Sequence, residues 1–87
     1  MVHLSHMDIR EIRELAAKFT PEQISSCITQ QIETGENVCL MDESTEKVVS
    51  ELSKAQFVRE LVEQGTEISE AVRELARRIR RVQKGFE

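Results

Sequence analysis

The sequence predicts an all-α fold: a small four-helix bundle, two short helices followed by two long ones, with an αα-hairpin in its C-terminal half. Three observations carry that expectation. One Pro and three Gly in 87 residues leave little material for turns. Strong helix formers (Glu, Arg, Ala, Leu and Gln) occupy most polar and small positions. The apolar residues recur at intervals of three and four, the spacing that lines one side of a helix. The pattern is clearest at the C-terminus, where Ile68, Val72, Leu75, Ile79, Val82 and Phe86 are spaced 4, 3, 4, 3, 4. Arg73, Arg77, Arg80, Arg81 and Lys84 fall around the other side of that helix.

A chain of this length buries only about 60–65% of the surface its unfolded form exposes. The core is therefore thin, and self-association is one way to bury more. With Phe19, Phe57 and Phe86 the only aromatic residues, that core is aliphatic. The same scarcity argues against stacking on single-stranded nucleic acid.

Taken in order, residues 1–7 read as a vector-derived or disordered N-terminal extension. Ser5-His6-Met7 resembles a cloning scar with Met7 as the natural start, so His3 and His6 are set aside. Residues 8–87 form one helical domain. Helix 1 is expected at 8–18, with Ile9, Ile12, Leu15, Ala16 and Phe19 on one stripe. Thr20-Pro21-Glu22-Gln23 then combines an N-cap Thr, a Pro at the first helical position and a Gln that completes a capping box. Helix 2 is placed at 21–34, its inner face Ile24, Cys27, Ile28 and Ile32, with Gly35 ending it in the left-handed region. Val38-Cys39-Leu40-Met41 is a short apolar run with no partner strand, expected to plug the end of the bundle as a loop.

Asp42 or Ser44 caps helix 3, expected at 44–64. Val48, Leu52, Ala55, Val58, Leu61 and Val62 cover an arc wide enough to meet more than one neighbour. Gly65 closes it, and helix 4 spans 67–84. Helices of roughly 20 and 18 residues measure about 30 and 27 Å, more than the short pair covers. Apolar surface near Phe57, Val58, Leu61 and Val82 is therefore expected to stay open and to form a symmetric homodimer face. Ala71 and Ala76 flank the helix 4 seam where a two-stranded coiled coil prefers charges, so helix 4 reads as a bundle member.

Charge is distributed unevenly. Residues 1–72 carry 6 Lys/Arg against 14 Asp/Glu, and residues 73–87 carry 6 against 2. A basic end on an acidic chain suggests internal pairing of Glu70 with Arg73 and of Glu74 with Arg77 and Arg78, with Glu51, Glu60 and Glu63 of helix 3 as further partners, or else an acidic partner surface. Nucleic-acid phosphate is the alternative. Gly65 followed by Ser69-Glu70-Ala71-Val72-Arg73-Glu74-Leu75 resembles the second-helix start of ribbon-helix-helix repressors. The chain departs from that family elsewhere: its only candidate strand, Val38–Met41, is apolar, and the helix after it is too long. A helix-turn-helix is not matched either, since nothing after Leu75 breaks the helix, and neither family is assigned.

Catalysis is not expected. No His lies in the credible native region to pair with Ser or Cys, no Gly-rich loop cradles phosphate, and no Glu-x-x-His marks a bundle metal site. No cofactor and no metal are expected. Cys27 and Cys39 read as reduced, buried thiols, with a disulfide closing the loop between them as the alternative in an oxidising compartment. With no transmembrane stretch and no signal-peptide core in the sequence, they suggest the cytoplasm. The expected role is a small protein–protein interaction or regulatory module.

Overall fold

The computed structural model describes residues 9–41 and 44–85, with the side chains of the last helix described as far as Arg81. The expected extension at 1–7 and the candidate cap Asp42 lie outside the described residues, as does Phe86. Four helices are present: α1 (Ile9–Lys18), α2 (Pro21–Thr34), α3 (Thr45–Glu63) and α4 (Ile68–Gly85). No strand occurs among the described residues.

The boundaries have local causes. Thr20 is the N-cap of α2: its hydroxyl accepts from the Gln23 N–H (3.2 Å), and the Gln23 side chain accepts from the Thr20 N–H (2.9 Å). Gly35 ends the helix at φ 83°, its N–H donating to the Gln31 carbonyl at 2.9 Å. Ser44, not Asp42, is the N-cap of α3, its hydroxyl accepting from the Lys47 N–H at 3.2 Å. At the other end the Gly65 N–H donates to the Val62 carbonyl and the Thr66 N–H to the Leu61 carbonyl, each at 3.0 Å. This crossed pair is a Schellman closure, and it needs the positive φ that Gly65 adopts, 105°. The short turn that follows folds α4 back against α3, forming the expected αα-hairpin.

The long α3 is the central helix. It packs against α1, α2 and α4, and α1 also meets α4. α2 makes no packing contact with α1 or α4 among the described residues. The core is Ile12, Leu15 and Ala16 from α1, Ile24 and Cys27 from α2, and Leu40 from the loop. Val48, Leu52, Ala55 and Val58 come from α3, and Ala71 and Leu75 from α4. Ala71, fully buried, keeps a small side chain where α4 approaches its neighbours. Two side chains of α3 reach across to backbone carbonyls of its neighbours: the Arg59 guanidinium donates to the Ala16 carbonyl near the end of α1 (3.2 Å) and the Gln56 amide to the Pro21 carbonyl at the start of α2 (3.4 Å).

Several expectations are corrected. Ile32 does not belong to the inner face of α2; it is 64% exposed, while Gln31 is buried. At about 100° per residue, Gln31 lies about 20° from the direction of Ile24, and Ile32 about 80° off on the other side. The face against α3 is therefore Ile24, Cys27 and Gln31, with Ile28 at its margin. The apolar loop is only half a plug. Leu40 enters the core and Cys39 packs against it, but Val38 and Met41 are 83% and 86% exposed.

The expected dimer face is also broken up. Val58 is fully buried within the single chain, because it continues the core stripe of Val48, Leu52 and Ala55. Phe57 and Leu61 are half-buried against that core. The Val82 side chain lies outside those described. Among the described residues the exposed large apolar side chains are instead Ile9, Ile32, Val38 and Met41.

Candidate functional site

Two regions gather the residues singled out in the sequence: the outer face of α4, and the loop that joins α2 to α3.

On α4 the first two turns balance their own charge. Arg73 pairs with Glu70 at 2.8 Å, and Arg77 bridges Glu74 (2.7 Å) and Glu70 (3.4 Å). The hydrogen bond from Arg77 holds the Glu74 carboxyl below its usual value. Arg77, Arg78 and Arg81 add electrostatic attraction, and desolvation opposes the shift. The Arg77 guanidinium is pushed up in return, chiefly by its hydrogen bonds to Glu74 and Glu70.

Past Glu74 the helix has no further acid before residue 87. Arg78 lies over the Phe57 ring, 5.1 Å from its centroid. Arg80 and Arg81 are exposed, and among the described residues neither makes an ion pair. Lys84 lies one turn further along, its side chain outside those described.

Glu60 and Glu63 of α3 do not answer this end. Glu51 is 1% exposed, on the core side of the helix. Glu60 faces the start of α2, lining an open cleft of about 470 Å³ with Pro21, Glu22, Ser25, Ser26 and Gln56. Glu63 pairs with Arg59 of its own helix at 2.8 Å. The expected pairs of Glu70 with Arg73 and Glu74 with Arg77 are present, whereas Glu63 pairs within its own helix instead of reaching across to α4. Of the five cations grouped by sequence, four have described side chains: Arg73 and Arg77 are paired with acids, and Arg80 and Arg81 make no ion pair among the described residues.

The second region corrects the reading of the cysteines. Cys27 and Cys39 are joined in a disulfide, with Cα atoms 6.1 Å apart, so neither is the free buried thiol expected. The bond ties the loop to the middle of α2. A polar network holds the same loop independently. The Asn37 side-chain oxygen accepts from the N–H groups of Cys39 and Leu40, both at 2.8 Å. Its amide nitrogen donates to the Leu40 carbonyl (2.8 Å) and to Gln31 Oε1 (2.7 Å). Gln31 Nε2 in turn donates to the Gly35 carbonyl (3.0 Å) and to Thr45 Oγ1 (2.8 Å). One buried amide therefore links the end of α2, the loop and the start of α3.

Sequence reasoning missed Gln31, Asn37 and Arg59, and assigned Arg78 to Glu74 where the structure lays it over Phe57. Only Asn37 carried a visible signal, an Asn two residues after a helix-ending Gly, where a side-chain oxygen can organise following N–H groups. Among the described residues no group of three or more His, Cys, Asp and Glu could hold a metal ion, and no helix is long and apolar enough to cross a membrane. Searches of family models, of curated proteins and of solved structures found no match to this chain.

Proposed function

We propose that the chain is a non-catalytic interaction module whose C-terminal helix docks an acidic surface of a partner protein. The observation that carries this reading is the division of charge along α4. Its first turns are internally neutralised by Glu70 and Glu74, whereas Arg80 and Arg81 are exposed cations with no ion-pair partner among the described residues. Screened charges act over about 8 Å at physiological salt, so a local cationic end can meet a local acidic patch despite the chain's net charge of −4.

The remaining charge favours a protein over nucleic acid. Residues 1–72 carry a net −8, which opposes a polyanion running past the helix end onto the body of the domain. The disulfide removes the premise of free thiols on which the cytoplasmic expectation rested, and the proposal does not depend on the compartment. Homodimerisation through Phe57 and Leu61 is not needed for it.

The test is a fluorescence-anisotropy titration of two labelled probes, an acidic helical peptide and a duplex DNA, at low and moderate salt. The expected result is peptide binding that weakens with salt and is lost in Arg80→Ala/Arg81→Ala, with Arg73→Ala nearly unchanged. DNA binding with a steep salt slope and no peptide binding would replace this reading with the nucleic-acid alternative.

A further inference from the structure

We propose that the Cys27–Cys39 disulfide is a thiol–disulfide exchange site, attacked at Cys39 by a dithiol reductant and opened without unfolding the domain. Three observations place the chemistry there.

The first is unequal access. Cys27 is 3% exposed and sits in the core, while Cys39 is half-buried in a surface loop between the exposed Val38 and the buried Leu40. Exchange requires a thiolate to reach one sulfur and displace the other. The geometry of access selects Cys39 as the sulfur attacked and Cys27 as the sulfur displaced.

The second is that the loop does not depend on the bond for its position. Asn37 and Gln31 hold residues 35–40, and tie them to Thr45 at the start of α3, through six hydrogen bonds of 2.7–3.0 Å, none of which involves sulfur. Leu40 remains anchored in the core. Opening the disulfide thus leaves both sulfurs near each other and ready to re-form the bond. The Gln23 carbonyl oxygen, 3.9 Å from Cys39 Sγ, is placed to accept from the Cys39 thiol once it exists.

The third is the setting. Val38 and Met41, on either side of Cys39 and Leu40, expose most of their apolar surface, which gives a dithiol-bearing protein a surface to rest on while its thiolate attacks.

The steps balance as follows. A reductant thiolate bonds to Cys39 Sγ and the Cys27–Cys39 bond breaks. The electron pair leaves on Cys27 Sγ, which takes a proton from solvent. The reductant's second thiolate then attacks its own sulfur in the mixed disulfide. Cys39 departs as a thiolate and is protonated. The reductant has become a disulfide, and the chain has gained two electrons and two protons.

The test uses the oxidised full chain under native conditions. Glutathione, a monothiol, is added to trap the mixed disulfide, free thiols are blocked with N-ethylmaleimide at low pH, and the adducts are located by peptide mass spectrometry. Glutathione on Cys39 in about tenfold excess over Cys27 is the expected result, with maleimide on Cys27. In parallel, reduction by dithiothreitol is expected to proceed with the helical circular dichroism signal retained. Adducts distributed equally or on Cys27, or reduction only once the helical signal is lost, would overturn the proposal. Comparing dithiothreitol with a small protein bearing a Cys-X-X-Cys dithiol, on wild type and Val38→Ser/Met41→Ser, separates the sources. A rate advantage for the protein that the double variant removes assigns a protein reductant, and equal rates assign a small one.

Discussion

Gln31 is the side chain on which the α2–α3 junction depends most, and replacing it tests the described geometry directly. The Gln31→Ala variant removes an amide that is 5% exposed and makes three hydrogen bonds, to the Gly35 carbonyl, Thr45 Oγ1 and Asn37 Nδ2. Each such bond contributes about 0.5–1.5 kcal/mol net. Gly35 and Thr45 are exposed, so water can take over at those two. Asn37 is half-buried and keeps its bond to the Leu40 carbonyl, so its loss is partial. Adding the cavity left by the missing side chain, the expected cost is about 2–3 kcal/mol. For a domain of this size that lowers Tm by about 10–20 °C. Thermal and urea unfolding followed by circular dichroism measure it, with Glu33→Ala, two residues along the same helix and exposed, as the control within about 0.5 kcal/mol. The disulfide and Gln31 hold the same loop, so their effects should be coupled. In the reduced protein Gln31→Ala is expected to cost more than in the oxidised one. A loss under about 0.5 kcal/mol in both redox states would refute the idea that this amide organises the junction.

Other consequences follow from the same structure. Thr20→Ala removes one half of the capping box and should lower stability by about 1 kcal/mol in urea unfolding. Ile24→Ala should cost about 2–5 kcal/mol and Ile32→Ala no more than about 0.5 kcal/mol; a reversed order would mean that α2 is rotated on α3. The lowered Glu74 carboxyl contributes stability above the ordinary carboxylate range, and that contribution disappears as pH falls through its lowered value. Thermal unfolding of wild type and Glu74→Gln should therefore converge at acid pH, and parallel curves would contradict the Arg77 pairing. Sedimentation at tens of micromolar should give a 10.0 kDa monomer, since Val58 is consumed by the core; a dimer that Phe57→Ser abolishes would restore the α3–α4 face.

The parts of the fold that sequence made legible are those decided within one or two turns of chain. Thr20, Pro21 and Gln23 specify a helix start through bonds between neighbours, and Gly35 and Gly65 specify helix ends through a backbone conformation few other residues adopt. The four helices follow from these punctuation marks and from apolar spacing. What sequence could not supply is the angle at which each helix meets α3. On α2 that angle exchanges Ile32 for Gln31, against hydrophobicity, because Gln31 has three partners waiting at the junction. On α3 it turns Glu51 inward beside Leu52. A carboxylate on the core side cannot be read from a charge pattern, since its burial depends on groups brought there by other segments.

The candidate site was legible in the same measure. Five cations were visible along α4, yet which of them are satisfied depends on where acids lie in space. Glu70 and Glu74 lie one turn from Arg73 and Arg77 on the same helix and pair with them, as i, i+3 spacing allows. The acids of α3 seemed suitable on the assumption that antiparallel neighbours present their charged sides to each other. They do not: bundle helices face each other with their apolar sides, and here Glu63 turns back to Arg59, whose guanidinium also donates to the α1 carbonyl of Ala16. The residue of α3 that does meet the α4 cations is apolar, Phe57 under Arg78. An aromatic face attracts a guanidinium without cancelling its charge, so Arg78 adds to the surplus of Arg80 and Arg81, none of which makes an ion pair among the described residues. Exchanging Phe57 for Leu should free Arg78 without altering that surplus, leaving acidic-peptide affinity within about twofold of wild type. Phe57→Glu should pair with Arg78 and weaken peptide binding by about an order of magnitude, and equal binding by the two variants would show that the surplus charge is not what the partner reads.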